Sequence, residues 1–466
     1  MTRIRRDPTS RNAKRGRRPP TLDRPAETVV TSPTSGEAPP PPDGDLPVAR
    51  VAGKPPYRVP RMAEIAAVPW NGLRVVSTFS GCGGSCLGFR MAGYRVVWAS
   101  EFVQAARETY VANHPTPHVD PRDIRTVTAE DILRVTGLAR GELDVFEGSP
   151  PCASFSTAGK REKLWGVEKK YSDVQQRTDD LFREWLRLLG GLMPRSFVAE
   201  NVSGMVIGTA KGHFLEVVKE MRRLGYRVGA RLLDAQWLGV PQARRRVIFV
   251  GIREDLGLEP PFPAPLPYRY SIRDALPWLA GQPVIHDTSG QFGAGDVTDR
   301  PCPTITVGMD SINETVGVDG PAPAVMADGL GGACARQVKL HDAPPPPTAE
   351  ELAAVDFSRY AIGEEWQRLK PGQGSDRYLN LQRAHPDRPS PTVTATAGRI
   401  DAAGVAHPTA PRKFTISELR RICGFPDDFV LTGTHAQQCE RLGRSVPPPM
   451  MYAVARELAA ALGRAR

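Results

Sequence analysis

One cysteine stands behind two prolines in Gly148-Ser149-Pro150-Pro151-Cys152-Ala153-Ser154-Phe155-Ser156, just after the strand-like Leu143-Asp144-Val145-Phe146. Tandem prolines fix φ and remove two backbone donors, so the chain must turn there and present Cys152 in a set direction. A thiol held on such a turn suits a nucleophile, which needs a fixed line of attack. Further along, Glu200-Asn201-Val202 closes another strand-like run, and its carboxylic acid falls near Cys152 if the two strands are neighbours. Strand alternation then predicts Gln242, Arg244 and Arg246 on one face, with two guanidiniums aimed into one site. A nucleophilic thiol, a carboxylic acid and fixed cations suit covalent activation of an electron-poor ring.

A second set of residues suits a nucleoside. Phe79-Ser80-Gly81-Cys82-Gly83-Gly84 follows the first strand-like run and lets backbone approach a ligand at the carboxyl edge of a sheet. Its spacing is not that of the dinucleotide fingerprint. Glu101 closes the second strand, where a carboxylate can accept from ribose hydroxyls. Asp123 follows at the third position, suited to accept from an adenine amino group.

The elements that must hold these residues alternate. Strands are expected at Arg74 to Phe79, Arg95 to Ala99, Leu143 to Phe146, Ser196 to Ala199, Tyr226 to Leu233 and Arg246 to Gly251. Helices are expected at Leu87 to Ala92, Leu181 to Leu189, His213 to Leu224, Ser417 to Cys423 and Met450 to Leu462, with Ser417 as an N-cap lacking the acidic partner of a capping box. This order predicts an α/β fold, a mostly parallel sheet with helices on both faces. After about Arg253, proline and glycine become dense, which predicts a smaller loop-rich domain. Within it Asp299-Arg300-Pro301-Cys302-Pro303-Thr304-Ile305-Thr306 is echoed by Asp387-Arg388-Pro389-Ser390-Pro391-Thr392-Val393-Thr394, as a duplicated framework element would be.

The whole chain has 466 residues, a formal charge of +10 and an isoelectric point near 9.4, which favours a polyanionic partner. Part of the excess lies in the first 25 residues. That basic stretch runs on into Pro39 to Pro42 and is expected to be a disordered tail reaching to about residue 70. No window approaches the ~18 apolar residues of a membrane span, and no signal-peptide core begins the chain. Seven irregularly spaced cysteines suggest a reducing cytoplasm, and Cys82 and Cys86 lack the second pair of a metal knuckle, so no metal is expected.

The ordered series resembles the DNA cytosine-5 methyltransferases from about Leu73 to the C-terminus, apart from a variable middle. Phe79 to Gly84 is similar to the family's cofactor loop, Pro150-Pro151-Cys152 with Phe155-Ser156 to its catalytic loop, and Glu200-Asn201-Val202 to its Glu-Asn-Val motif. Gln242-x-Arg244-x-Arg246 matches Gln-x-Arg-x-Arg. Phe414-Thr415 with Glu418, Gly424-Phe425-Pro426 and Gly443 to Pro448 resemble the closing segments. Three positions depart from the pattern: Ala153 stands for Gln, Arg444 for Asn, and Thr178 for Arg.

The resemblance implies a Rossmann-like S-adenosylmethionine-dependent catalytic domain over 71–253, a target-recognition domain over 254–411, and a segment over 412–466 returning to the catalytic domain after a tail of 1–70. S-adenosyl-L-methionine would lie with its methionine end by Phe79 and Gly81 to Gly83, its ribose by Glu101 and its adenine by Phe102, Asp123 and Ile124, and Ser80 and Gly84 would also belong to its site. Pro151, Leu181 and Ser445 would complete that site. Cys152 would attack C6 of a flipped-out cytosine in a specific DNA sequence, with Glu200 at N3 and Arg246 at O2, while Arg244 and Asn201 hold the site in shape. The basic loop from Ser154 to about Asp173 would close over the duplex. Arg336, Gln337, Arg377 and Arg399 are candidate base or phosphate contacts. The implied partners are double-stranded DNA and a restriction endonuclease encoded elsewhere, for a cytoplasmic, nucleoid-associated monomer with no membrane contact. Two alternatives stand beside this. One is a cytosine-5 methyltransferase of RNA such as tRNA, which would not need so large a recognition region. The other is a catalytically silent DNA-binding relative, which would not need Cys152, Glu200 and Arg246, although Arg444 would suit it.

Overall fold

A computed structural model describes residues 54–151, 169–171, 174–176, 180–206, 210–279, 345–378, 380–397, 400 and 403–463. Among the described residues, the first nine strands in chain order are β1 (Arg74–Thr78), β2 (Arg95–Ser100), β3 (His118–Asp120), β4 (Val145–Gly148), β5 (Lys169–Tyr171), β6 (Val174–Gln176), β7 (Ser196–Val202), β8 (Tyr226–Asp234) and β9 (Arg245–Arg253). Seven of them form one sheet in the order β3-β2-β1-β4-β7-β9-β8, and β5 pairs with β6 as a separate hairpin. All neighbours from β3 to β7 run parallel, and β9 lies antiparallel between β7 and β8. The predicted neighbourhood of β4 and β7 is present, with Val145 opposite Ser196 and Gly148 opposite Ala199.

Consecutive residues in these strands enter opposite cores. Val75, Val145, Val198 and Val250 face one side, packed by the Gly84–Met91 and Pro448–Gly463 helices. Val76, Phe146, Phe197 and Phe249 face the other, packed by the Leu181–Leu192 and Ala210–Arg223 helices. Burial on both faces is why these strands read as continuous apolar runs. Trp185 is fully buried between Phe146, 5.1 Å away and stacked, and Phe197, 5.4 Å away edge-on. Such pairs add about 0.5–1.5 kcal/mol each beyond area burial, and they fix the helix whose first residue is Leu181.

The C-terminal helix returns to the sheet through a close crossing. A Cβ on Gly88 would lie 2.7 Å from Met451 Cβ, so only glycine admits the partner helix there. The Tyr94 hydroxyl donates to Ala455 O at 3.0 Å across the same contact.

Several expectations are corrected. Ser417 is not the N-cap: Thr415 Oγ1 accepts from Glu418 N and Glu418 Oε2 accepts from Thr415 N at 2.9 Å, a complete capping box two residues earlier. The expected tail gives way to structure before residue 70. Met62–Ala66 is a helix with Ile65 buried, and the Tyr57 hydroxyl donates to Arg421 O at 2.7 Å. Five residues are too few to show a helical period. β3 and the helices Gln104–Asn113, Ala129–Thr136 and His435–Arg444 were not anticipated. Of the internal echo, residues 299–306 lie outside the described residues, as do the basic tail over 1–53, Arg336, Gln337, Arg399 and most of the basic loop. Arg377 is exposed.

Among the described residues no helix is long and apolar enough to cross a membrane, and no cluster of His, Cys, Asp and Glu could hold a metal ion.

Candidate active site

Between β1 and β4 the strand order reverses, and parallel sheets bind ligands beyond the carboxyl ends of the strands at such a point. A cavity of about 440 Å³ opens there, within the size range of small-molecule sites. Its wall takes in Phe79, Ser80, Gly81 and Gly84 after β1, and Glu101, Phe102, Asp123 and Ile124 after β2 and β3. Pro151 follows β4, Leu181 opens its helix, Glu200 and Asn201 lie near the end of β7, Arg246 is the second residue of β9, and Ser445 comes from the closing segment. Cys152 lies outside the described residues, one position beyond Pro151.

The loop after β1 is held in unusual backbone geometry. Phe79, Gly81 and Gly83 have φ of 54°, 56° and 90°, and a side chain such as Phe79 rarely adopts this left-handed region. Gly83 does not line the cavity. A Cβ there would meet His114 Nε2 at 2.2 Å, because His114 is buried, stacked on Tyr110 at 4.4 Å, with Nδ1 3.1 Å from Arg90 Nη1. Burial, with Arg90 beside it, pulls the His114 pKa down to about 3. Gly81 is different: no atom lies within 4 Å of its would-be Cβ.

Glu101 anchors this loop. Its Oε2 accepts from Gly81 N at 2.7 Å and its Oε1 from Val103 N at 2.8 Å. Burial raises its pKa, against the pull of those two amides. Each oxygen keeps a further lone pair for a ligand hydroxyl. Asp123 accepts from Arg125 N at 3.0 Å and pairs with Arg125 Nη1 at 2.9 Å. Phe102 is 37% exposed at the rim, an open aromatic face, while Ile124 and Leu181 are buried.

At the other end, Arg246 Nε lies 2.7 Å from Glu200 Oε1. Arg246 is opposite Val202 in the β7–β9 ladder, so Glu200 is its diagonal neighbour on the same face. Asn201 Nδ2 donates to Pro150 O at 3.2 Å and its Oδ1 accepts from Val202 N at 2.8 Å. That side chain therefore ties the two-proline turn to the end of β7.

Only one of the two expected guanidiniums points into the cavity. Arg244 precedes the first residue of β9, so strand alternation does not reach it. It is 1% exposed, and its Nη1 donates to Val393 O at 3.1 Å and Gly443 O at 3.0 Å. Gln242 is likewise buried, with Oε1 accepting from Val393 N at 3.2 Å. Arg244 binds the segment around Val393 to the closing segment behind the wall. Burial first, and then the charge of Arg246, lower its pKa.

The wall also holds residues that sequence reasoning missed, notably Arg122, Ser85, Ser100 and Arg441. Arg441 is 5% exposed and its Nη2 lies 2.9 Å from Glu440 Oε2. Arg444, the departure from Asn, reaches the same Glu440, Nε to Oε1 at 2.7 Å, and also lines the cavity. Arg122, next to Asp123 in sequence, was within reach of inspection; Arg441 carried no signal of its own.

The donor set fits S-adenosyl-L-methionine. A flat base has Phe102, Ile124 and Leu181; hydroxyl and amino donors have Glu101 and Asp123; a zwitterionic tail has serines, backbone and arginines. Residues 73–302 and 332–460 match the family of C-5 cytosine-specific DNA methylases. Among curated proteins, the chain is similar to the Type II methyltransferase M1.HphI of Haemophilus parahaemolyticus, 30% identical over 82% of this chain and 86% of that protein. It is also similar to M.NgoPII of Neisseria gonorrhoeae, 28% identical over 86% of this chain and all of that one. A solved structure of a prophage-encoded DNA modification methyltransferase candidate (E. coli) shares the fold, with a TM-score of 0.56, 22% identity and coverage of 84% of this chain and 100% of that one.

Proposed function

The chain belongs to the C-5 cytosine-specific DNA methylases, enzymes that use S-adenosyl-L-methionine as methyl donor, and from that premise we propose a residue-level mechanism. It methylates C5 of a cytosine flipped out of a specific duplex sequence, through an adduct between Cys152 and C6. The observation that carries this reading is one cavity with nucleoside acceptors at one end and the Glu200–Arg246 pair at the other, beside the turn that leads into Cys152.

The target base must leave the stack for its ring to be reached. The Cys152 thiolate adds to C6, and the electron pair moves toward C5 and N3. Glu200 hydrogen-bonds or protonates N3, and Arg246 stabilises charge at O2. S-adenosyl-L-methionine, held by Phe79, Ser80, Gly81, Glu101, Phe102, Asp123, Ile124, Pro151, Leu181 and Ser445, supplies the methyl group. Loss of the C5 proton and elimination of the thiolate return the enzyme. Asn201 positions the Pro150–Pro151 turn, and Arg244 holds the wall from behind.

In this reading residues 71–253 carry the chemistry, 254–411 read the DNA sequence, and 412–466 complete the cofactor wall. Its expected form is a monomer acting on double-stranded DNA, with a separately encoded restriction endonuclease as partner; the two curated relatives are named Type II methyltransferases. The test is transfer of labelled methyl groups to duplex DNA and to tRNA in parallel, with sequencing of the modified sites. Label at C5 of cytosine in one recurring DNA sequence is the expected result; label on tRNA alone would overturn it.

A further inference from the structure

Below the cavity floor lies a carboxylate for which the mechanism above has no use. Glu147, on β4, is 2% exposed and does not line the cavity. Its Oε2 accepts from Ser77 Oγ at 2.5 Å, and Ser77 Oγ lies 2.9 Å from Ser80 Oγ. Ser85 is among the groups that counter the effect of burial on Glu147, and both Ser80 and Ser85 reach the cavity wall. Among the described residues, the titratable groups that act on it or that it acts on are Cys86 and Tyr110 from two helices and Glu200 from β7, and none is a cation. Arg90, whose charge acts on Cys86 and Tyr110, is engaged by Asn113 O and His114 Nδ1. Burial foremost, with Glu200 adding to it, pushes the Glu147 pKa up to about 7.

A serine hydroxyl carries one proton, so the direction of this chain follows from the charge on Glu147. With Glu147 ionised, Ser77 donates to it, Ser80 must donate to Ser77, and Ser80 Oγ offers only lone pairs to the cavity. With Glu147 protonated, the carboxyl can donate to Ser77 and Ser77 to Ser80, which turns the Ser80 proton outward. An ammonium group, which can only donate, finds two free lone pairs on Ser80 Oγ in the first arrangement and only one, beside an outward proton, in the second, so it favours the first.

We propose that Glu147 is a positioning residue for the cofactor's methionyl end, its ionised form aligning Ser77 and Ser80 so that Ser80 Oγ accepts from the α-ammonium, with binding coupled to release of the Glu147 proton to solvent. The proposal rests on the reading that places that end by Phe79 and Gly81 to Gly83, the loop that carries Ser80.

The test is calorimetric titration at pH 7 in two buffers of different ionisation enthalpy, with S-adenosylmethionine, S-adenosylhomocysteine and 5′-methylthioadenosine, which lacks the α-ammonium. Wild-type protein should release about half a proton more than Glu147→Gln with either amino-acid-bearing ligand, as a group titrating near neutrality requires. It should release no such excess with 5′-methylthioadenosine. Ser80→Ala, which keeps Glu147 and its burial, should lose the excess as well, and serves if Glu147→Gln does not fold. Equal release by wild type and Glu147→Gln, undiminished release by Ser80→Ala, or the same excess with 5′-methylthioadenosine would overturn the proposal. Binding without proton linkage overturns this inference alone; failure of the wild type to bind S-adenosylmethionine overturns the reading of the site.

Discussion

Gly81 and Gly83 share a left-handed backbone two residues apart, yet alanine should act on them in opposite ways. Either substitution costs about 1–2 kcal/mol for placing a Cβ in the left-handed region. At Gly83 the new Cβ would also lie 2.2 Å from His114 Nε2 and 2.6 Å from its Cδ2. His114 has no room to yield, being 1% exposed, stacked on Tyr110 and held at Nδ1 by Arg90. Overpacking of that kind costs a further ~1–3 kcal/mol, for a total of about 2–5 kcal/mol. Gly81 has open space instead, and that space is the cavity. Gly81→Ala should therefore fold with a loss of about 1–2 kcal/mol but bind S-adenosylmethionine at least tenfold more weakly, the equivalent of ~1.4 kcal/mol. Urea denaturation followed by tryptophan fluorescence measures the first quantity, and ligand titration on the folded variants the second. Equal destabilisation by the two alanines, or a Gly83→Ala protein as stable as wild type, would refute the reasoning.

The raised pKa of Glu147 has a consequence for the stability of the ligand-free protein. A carboxyl whose folded pKa lies above its unfolded value stabilises the fold fully below about 4.5 and loses that contribution as pH rises through about 7. The span corresponds to roughly 3 kcal/mol at most. Glu147→Gln should accordingly gain stability relative to wild type as pH rises from about 4.5 to about 7, levelling off above that, in chemical denaturation; a difference that does not change with pH would contradict this. For Arg444, the ion pair to Glu440 is part-exposed, with 35% of the arginine side chain accessible, and such pairs contribute about 0–1 kcal/mol. Arg444→Asn should leave stability within that range and shift cofactor affinity modestly without abolishing methyl transfer. Complete loss of activity would show that Arg444 carries more of the site than its contacts suggest.

What could be read from the sequence divides along physical lines. Strands buried on both faces, such as Arg74–Thr78 and Arg245–Arg253, announce themselves as apolar runs, and the residues at the carboxyl ends of the parallel strands come together because a parallel sheet gathers those ends along one edge. Phe79, Glu101, Asp123 and Glu200 are legible for that reason, whereas Arg246 reaches the same edge from the amino end of an antiparallel strand. His118–Asp120 was not: three residues, two of them polar, have no period to detect. Arg244 was assigned to the wrong direction because alternation was extended one residue beyond the strand into a stretch that satisfies the carbonyls of Val393 and Gly443. Arg441 reaches the cavity from a helix 340 residues after Glu101, a proximity fixed by the packing of the Pro448–Gly463 helix on Gly88 and not by any local pattern. Glu147 lies one residue past the strand-like run Leu143 to Phe146 and carries no signal of its own in the sequence; its burial without a cation among the described residues sets it apart.

The central claim is that the thiol of Cys152 bonds to the target base. Duplex DNA carrying 5-fluorocytosine at the methylated position tests it most directly, because the fluorine cannot leave as a proton does and the adduct persists after methyl transfer. Wild-type protein with S-adenosylmethionine should form a covalent DNA complex that survives denaturing electrophoresis, with Cys152 as the modified residue by mass spectrometry, and Cys152→Ala should form none while still binding the duplex. A complex that persists in Cys152→Ala, or a wild-type protein that methylates DNA yet never becomes trapped, would contradict the account.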